Sequence, residues 1–179
     1  MKLCLDMTLM GCRVVAARAD ELEPPEPFEV ALASVSPYRR EKVLAYRFEK
    51  DRRLSLLAGL LLDMLLQDWG LAECVMRYKI DDLGKPWFEG FDHLHFSLAH
   101  SGAVAVAALG ECPVGVDVEY LPDFPRDITD PQTWTAMESV GKLTGKGVGA
   151  LVDAGAFSVP VGYTIEYRTI DDYLVCVAL

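Results

Sequence analysis

From Leu54 to Leu66 the chain is almost unbroken hydrocarbon, with a charge only at Asp63. The stretch predicts a helix over Arg52–Leu66 that is apolar on most sides and therefore has to be buried. It is too short to span a bilayer, which takes ~20 apolar residues, so a protein core must enclose it. Gly70 fits the exit of that helix. A chain of 179 residues can build one good-sized core or two small lobes packed together. With 51% hydrophobic and 25% charged residues, the composition is that of a globular protein and excludes a disordered one.

Around this helix the other elements mix strands and helices. Residues 1–19 alternate loosely and read as a strand. Leu9-Met-Gly-Cys12 is similar to a lipoprotein cleavage box. Asp6 interrupts the apolar stretch before it, however, and only Lys2 gives a positive start, so the strand reading is preferred. Glu23-Pro-Pro-Glu-Pro27 is a loop, and Ser36-Pro37 opens a helix with Ser at the N-cap and Pro at N1. A strand is predicted near Cys74–Tyr78, then a turn at Asp81–Gly84. A further strand over Leu94–Leu98 ends at Ala99-His100-Ser101-Gly102. Ala103–Leu109, Gly110-Glu111 and Pro113–Glu119 read as a hairpin. Residues 120–133, with three prolines, read as a loop, and Trp134–Thr144 as a helix that runs out at Gly145-Lys-Gly147. Val161–Thr169 and Tyr173–Ala178 form another hairpin around Asp171-Asp172. The mixture points to an α+β fold.

The net charge of −10 argues against general nucleic-acid binding, which needs a broad basic face. The charge is uneven. Between residues 39 and 53, seven basic side chains stand against three acidic ones, a local +4 that leaves −14 for the rest. Such an island suggests an anionic ligand or an acidic partner. The plainer alternative is a solvated helix face with pairs such as Glu49–Arg53. Cysteines 4, 12, 74, 112 and 176 are odd in number and lack C-x-x-C spacing. They read as small core residues in a reducing compartment, the cytoplasm, and there is no transmembrane span.

Asp117 and Glu119 sit two apart in the otherwise apolar run Val114–Glu119. On a strand both carboxylates leave the same face. Crowded and poorly hydrated, they invite a hard cation such as Mg²⁺, which usually arrives with substrate phosphates. Glu138 and Lys142 lie four apart and share a helix face, which also fits an ordinary exposed ion pair. Lys146 between two glycines, His100 in a Gly-Ser turn and Lys85 before Pro86 complete the candidates. Each alone reads equally well as structural.

Together these segments resemble the 4'-phosphopantetheinyl transferase family in its longer, two-lobed, surfactin-synthetase-activating form. Five segments match in order: Ser36–Lys42, Gly84–Trp87, Phe96–Gly102, Val114–Glu119, and Trp134–Lys142 with Gly145–Gly147. The resemblance implies two pseudo-symmetric α/β lobes, 1–108 and 109–179, with the site in the cleft between them. It implies that the phosphopantetheine arm of coenzyme A passes to a serine of an apo acyl or peptidyl carrier protein, releasing adenosine 3',5'-bisphosphate. Asp117, Glu119 and Glu138 would ligate Mg²⁺, with Glu138 or a metal-bound water also taking the serine proton. Lys142 would steady the pyrophosphate. Arg39, Lys42, Arg53, Lys85, His100 and Lys146 would hold the phosphates and nucleotide. The implied protein is a monomer that engages neither nucleic acid nor membrane. Three positions depart from the family pattern: Met137 stands where a lysine is usual, Ala99 where a serine is frequent, and only fourteen residues, 120–133, separate the Asp-x-Glu strand from the Trp helix. The alternative function is a non-catalytic coenzyme A or carrier-protein binding module built on the same fold.

Overall fold

The structure, a computed structural model, describes residues 1–19, 28–125, 129–151, 158 and 161–179. The loop Glu23–Pro27 and residues 126–128 lie outside the described residues. The fold is α+β, with two antiparallel sheets packed face to face and helices on their outer sides.

The first sheet has the order β1-β2-β6-β5. Its strands are β1 (Leu5–Leu9), β2 (Cys12–Arg18), β5 (His95–Ser101) and β6 (Val104–Gly110). Residues 1–19 are thus a hairpin, where one strand was expected. The turn is Met10-Gly11, with φ of 46° and 83°, the left-handed pair that a two-residue hairpin demands. The segment resembling a cleavage box is this turn.

Helices α1 (Phe28–Ser34), α2 (Pro37–Ala45) and α3 (Glu49–Gln67) follow. Ser36 caps α2 as expected, its side chain accepting from the Arg39 N–H. The apolar run lies in α3, which buries Leu57, Leu61, Leu62, Leu65 and Leu66 against Val15, Ala17, Ala105, Ala107 and Leu109 of the sheet. At its end the Leu71 N–H reaches the Leu66 carbonyl and the Gly70 N–H the Gln67 carbonyl, both at 3.0 Å. These are the two bonds of a Schellman cap.

The strand expected near Cys74–Tyr78 is a 3₁₀ turn over Glu73–Val75, followed by β3 (Tyr78–Ile80). The buried Glu73 carboxylate bonds Ser36 at 2.6 and 2.7 Å, and that tertiary contact governs the local backbone. β3 pairs with β4 (Pro86–Phe88) around the Asp81–Gly84 turn.

The expected hairpin over 103–119 is not formed. β6 pairs with β5 through a turn at Gly102-Ala103, and with β2 on its other side. A strand buried at every position is a central strand, and β6 has both neighbours already. β7 (Gly115–Tyr120) belongs to the second sheet, order β7-β9-β8, with β8 (Ile165–Ile170) and β9 (Tyr173–Ala178). The last two form the C-terminal hairpin that the sequence suggests. Val14, Ala16, Val106 and Ala108 of the first sheet pack on Val116, Val118, Val175 and Val177 of the second.

Serines of the edge strand β5 join the sheets. The Val116 N–H donates to Ser97 Oγ at 3.0 Å, and the Tyr120 N–H to Ser101 Oγ at 3.1 Å. Helix α4 spans Pro131–Thr144, three residues longer at its start than expected, because Asp130 caps it and Pro131 takes the N1 position. It lies on the outer face of β7 and β9. A Cβ on Gly115 would stand only 1.9 Å from the Ser139 carbonyl oxygen, so glycine permits this close approach. Gly145 ends α4 in the left-handed conformation, at φ 76°.

Candidate active site

The strand period and the α4 contact together create the acidic side of the site. Gly115, Asp117 and Glu119 share the face of β7 that α4 covers, and Glu138 and Lys142 project from α4 toward it. Lys142 Nζ donates to Asp117 Oδ1 at 2.6 Å, so the helix lysine pairs across to the strand as well as sharing a face with Glu138. Asp117 is buried, and its Oδ2 has no hydrogen-bond partner among the described residues. Burial pushes its carboxyl up, while Lys142 pulls it down. Glu119 accepts from Trp134 Nε1 at 3.0 Å through one oxygen and from Ser101 Oγ at 3.2 Å through the other. Burial also raises Glu119, with the Asp117 charge adding to it. Glu138 is raised by burial too, against the pull of Lys142 and with the push of Asp117. Glu119 and Glu138 thus each feel the charge of the buried Asp117, and Lys142 offsets all three.

Glu138 and Lys142 line a cavity of about 340 Å³, whose opposite wall comes from the first half of the chain. Tyr38, Arg39 and Lys42 of α2, Lys85 and the Ser97 region of β5 form that wall. Lys85 Nζ donates to the Leu143 carbonyl at 2.7 Å and so ties the β3–β4 turn to the end of α4. Burial lowers the Lys85 ammonium. Arg39 is 7% exposed, with its Nε unpartnered. Its guanidinium lies 6.0 Å from the centre of the Tyr38 ring and 5.9 Å from that of Tyr78. Lys42 stands over Tyr38 at 5.7 Å. His100 sits at the margin, its Nε2 3.2 Å from Tyr46 Oη. Burial and the Lys142 and Arg39 charges lower its imidazole, while Asp51 opposes them.

Of the sequence candidates, Arg39, Lys42, Lys85, Glu138 and Lys142 line the cavity; Asp117 lies behind Lys142, and Glu119, His100, Arg53 and Lys146 do not form part of the wall. Arg53 pairs with Glu49 at 2.7 Å on the exposed side of α3 and stands over Phe28. Lys146 is exposed, although the flanking Gly145 and Gly147 line the cavity. Met137 is fully buried, so position 137 faces packing, and a lysine there would not simply add a charge to the cavity. Ala99 is buried between Ser97 and Ser101 on one face of β5, the face that joins β7. Sequence reasoning missed Tyr38, Tyr78 and Glu73. Tyr38 lies inside the Ser36–Lys42 motif and could have been found there. No local signal marks Glu73.

The acidic side suits a hard cation in donor chemistry: all its free donors are carboxylate oxygens, and Asp117 Oδ2 is buried without a partner. Among the described residues, however, no three His, Cys, Asp or Glu side chains converge as a ready metal cluster. Asp117 and Glu138 keep free oxygens, whereas both oxygens of Glu119 are engaged by Trp134 and Ser101. Nor is any helix among the described residues long and apolar enough to cross a membrane.

A cavity lined by Arg39, Lys42, Lys85 and Lys142 with a single carboxylate, Glu138, among its described lining suits a polyanionic ligand. Comparison with known proteins finds relatives of one kind. No family model matches the chain. A 4'-phosphopantetheinyl transferase of Bacillus subtilis is 27% identical over an alignment of 152 residues, covering 72% of this chain and 67% of the relative. The transferase Sfp of Bacillus subtilis strain 168 is 26% identical over 158 residues, with 75% and 70% covered. The transferase gsp of Aneurinibacillus migulanus is 27% identical over 145 residues, with 68% and 60% covered. With the five motifs in matching order, the chain is similar to the Sfp-type 4'-phosphopantetheinyl transferases.

Proposed function

We propose that the protein transfers the 4'-phosphopantetheine arm of coenzyme A to a serine of an apo acyl or peptidyl carrier protein, with Mg²⁺. The observation that carries this reading is the meeting, in one cavity, of Arg39, Lys42, Lys85 and Lys142 with the Glu138 carboxylate. The working division is an N-terminal lobe, 1–108, that grips the coenzyme's phosphates and nucleotide, and a C-terminal lobe, 109–179, that carries the carboxylates.

Coenzyme A enters with its pyrophosphate toward Lys85 and Lys142 and its remaining phosphate toward Arg39 and Lys42. Asp117 and Glu138 would hold Mg²⁺, with Glu119 joining them by release from Ser101 or Trp134. Bound there, the ion would neutralise pyrophosphate charge. The serine hydroxyl of the carrier protein gives its proton to Glu138, and its oxygen forms a bond to the phosphorus that bears the pantetheine. The bridging P–O bond on the far side breaks, and adenosine 3',5'-bisphosphate leaves. A carboxylate whose proton affinity is raised by burial is better matched to this task than an exposed one. Lys142 and Lys85 stabilise the charge that builds on the leaving phosphate in this reading.

Incubation with coenzyme A, Mg²⁺ and a panel of apo carrier proteins, followed by weighing of the carriers, tests the reading. The expected result is a carrier heavier by one phosphopantetheine arm. Tight coenzyme A binding with no gain in mass on any carrier would favour the binding-module reading.

A further inference from the structure

Arg39 is a buried cation with one nitrogen left unpartnered beside the cavity, and such a group needs a reason to be held there. Its surroundings are built in layers. Tyr38 and Tyr78 stack with ring centres 4.3 Å apart and planes 19° from parallel, and the guanidinium lies against both. Tyr78 is in turn wedged edge-on against Phe88 and Phe96 of the core. The Tyr78 hydroxyl donates to Glu73 Oε1 at 2.6 Å. Burial pushes that hydroxyl well above the usual tyrosine range, so it stays a donor. Glu73 is fully buried and also accepts from the Ser36 N–H and hydroxyl, at the cap of the helix that bears Arg39. From the far side α3 leaves a gap at Gly59, where a Cβ would stand 2.9 Å from both Cγ and Cδ of Arg39.

We propose that Glu73, Tyr78 and Gly59 are positioning residues that hold Arg39 as a fixed anion-binding arm of the cavity, an inference that rests on the coenzyme A reading above. Glu73 sets both ends of the device. It anchors the α2 cap from which Arg39 projects and, through the Tyr78 hydroxyl, the ring that supports the guanidinium. Gly59 supplies the channel through which the Arg39 stem passes. A pre-set arm loses little rotamer freedom when an anion binds, so its benefit appears in affinity and not in turnover.

Three variants test this: Tyr78→Phe keeps the ring and removes the bond to Glu73, Gly59→Ala fills the channel, and Arg39→Ala removes the arm. Coenzyme A affinity is measured by calorimetry, transfer kinetics with a carrier protein, and thermal unfolding alongside. Tyr78→Phe and Gly59→Ala should each raise the KM for coenzyme A by ~5- to 10-fold, with kcat unchanged within about twofold. For Gly59→Ala the helix preference of alanine partly offsets the overlap with the Arg39 stem, so any fall in unfolding temperature should be small beside the loss of coenzyme A affinity. A merely structural role would lower the unfolding temperature and leave KM alone, and that result overturns the proposal. If Arg39→Ala weakens coenzyme A binding while the other two variants do not, the positioning inference fails and the coenzyme A reading stands. If the protein ignores coenzyme A but binds inorganic pyrophosphate with the same dependence on Tyr78 and Gly59, the arm stands and that reading falls. Binding of neither removes both.

Discussion

The basic stretch of α2–α3 and the acidic residues of β7 and α4 each send side chains to one cavity, Arg39 and Lys42 from the first and Glu138 from the second, yet they were unequally readable. In the acidic region the relevant neighbours are set by local periods. Asp117 and Glu119 share a face because a strand repeats every two residues, and Glu138 and Lys142 because a helix returns after four. Over residues 39–53 charge density alone is a poor guide, since each side chain's partner is set by tertiary packing. Arg39 and Lys42 reach the cavity. Arg40 donates to the carbonyls of Leu32 and Ala33, at 3.2 and 3.1 Å, and satisfies the end of α1. Arg52 donates to the Tyr46 carbonyl at 2.7 Å, just past α2. Arg53 pairs with Glu49. A cluster of cations thus divides between the cavity wall, helix ends and a surface pair, and only three dimensions show the division.

The largest effect is expected on the acidic side. Asp117→Asn and Glu138→Gln should each lower Mg²⁺-dependent transfer by ~10²–10³-fold, read as holo-carrier formed per unit time, with circular dichroism unchanged. Retention of activity in both would dissolve the contrast between the two regions. Next comes a comparison within the basic stretch. Arg39→Ala should raise the KM for coenzyme A by ~10-fold or more, while Arg53→Ala stays within about twofold, as befits an exposed pair. Equal losses would mean that the α3 face belongs to the site after all.

A third effect is on stability. Met137→Lys forces an ammonium into a fully buried position and should destabilise the fold by ~2–4 kcal/mol in chemical denaturation. Faster transfer with intact stability would show instead that the side chain can swing into the cavity. The smallest effect concerns His100. Its folded-state proton affinity is lowered, so its contribution to stability is present above the unfolded value of 6.5. That contribution is lost as pH falls through the lower, folded value. Between pH 7.5 and 5 the unfolding temperature should therefore fall more in the natural protein than in His100→Gln. Parallel curves would remove the histidine from the balance.

The same physics explains which parts of the fold were legible. The buried helix, the Ser36-Pro37 cap and the C-terminal hairpin follow from local pattern, and each is present. The expected hairpin over 103–119 failed because apolar runs do not name their partners: β6 sits between β2 and β5, and β7 starts a new sheet. Ser97 and Ser101, whose hydroxyls bridge the sheets, are invisible in a sequence as a sheet-to-sheet joint. Glu73 is the extreme case, a buried acid whose partners Ser36 and Tyr78 come from separate segments.

If both halves of the chain act on one ligand, calorimetric titration of coenzyme A with and without Mg²⁺ will reveal it. The natural protein should bind coenzyme A more tightly when Mg²⁺ is present. Asp117→Asn should abolish that gain while keeping the metal-free affinity, and Arg39→Ala should weaken binding in both conditions alike. An affinity that neither Mg²⁺ nor Arg39→Ala alters would contradict the claim that the cationic and acidic walls grip the same molecule.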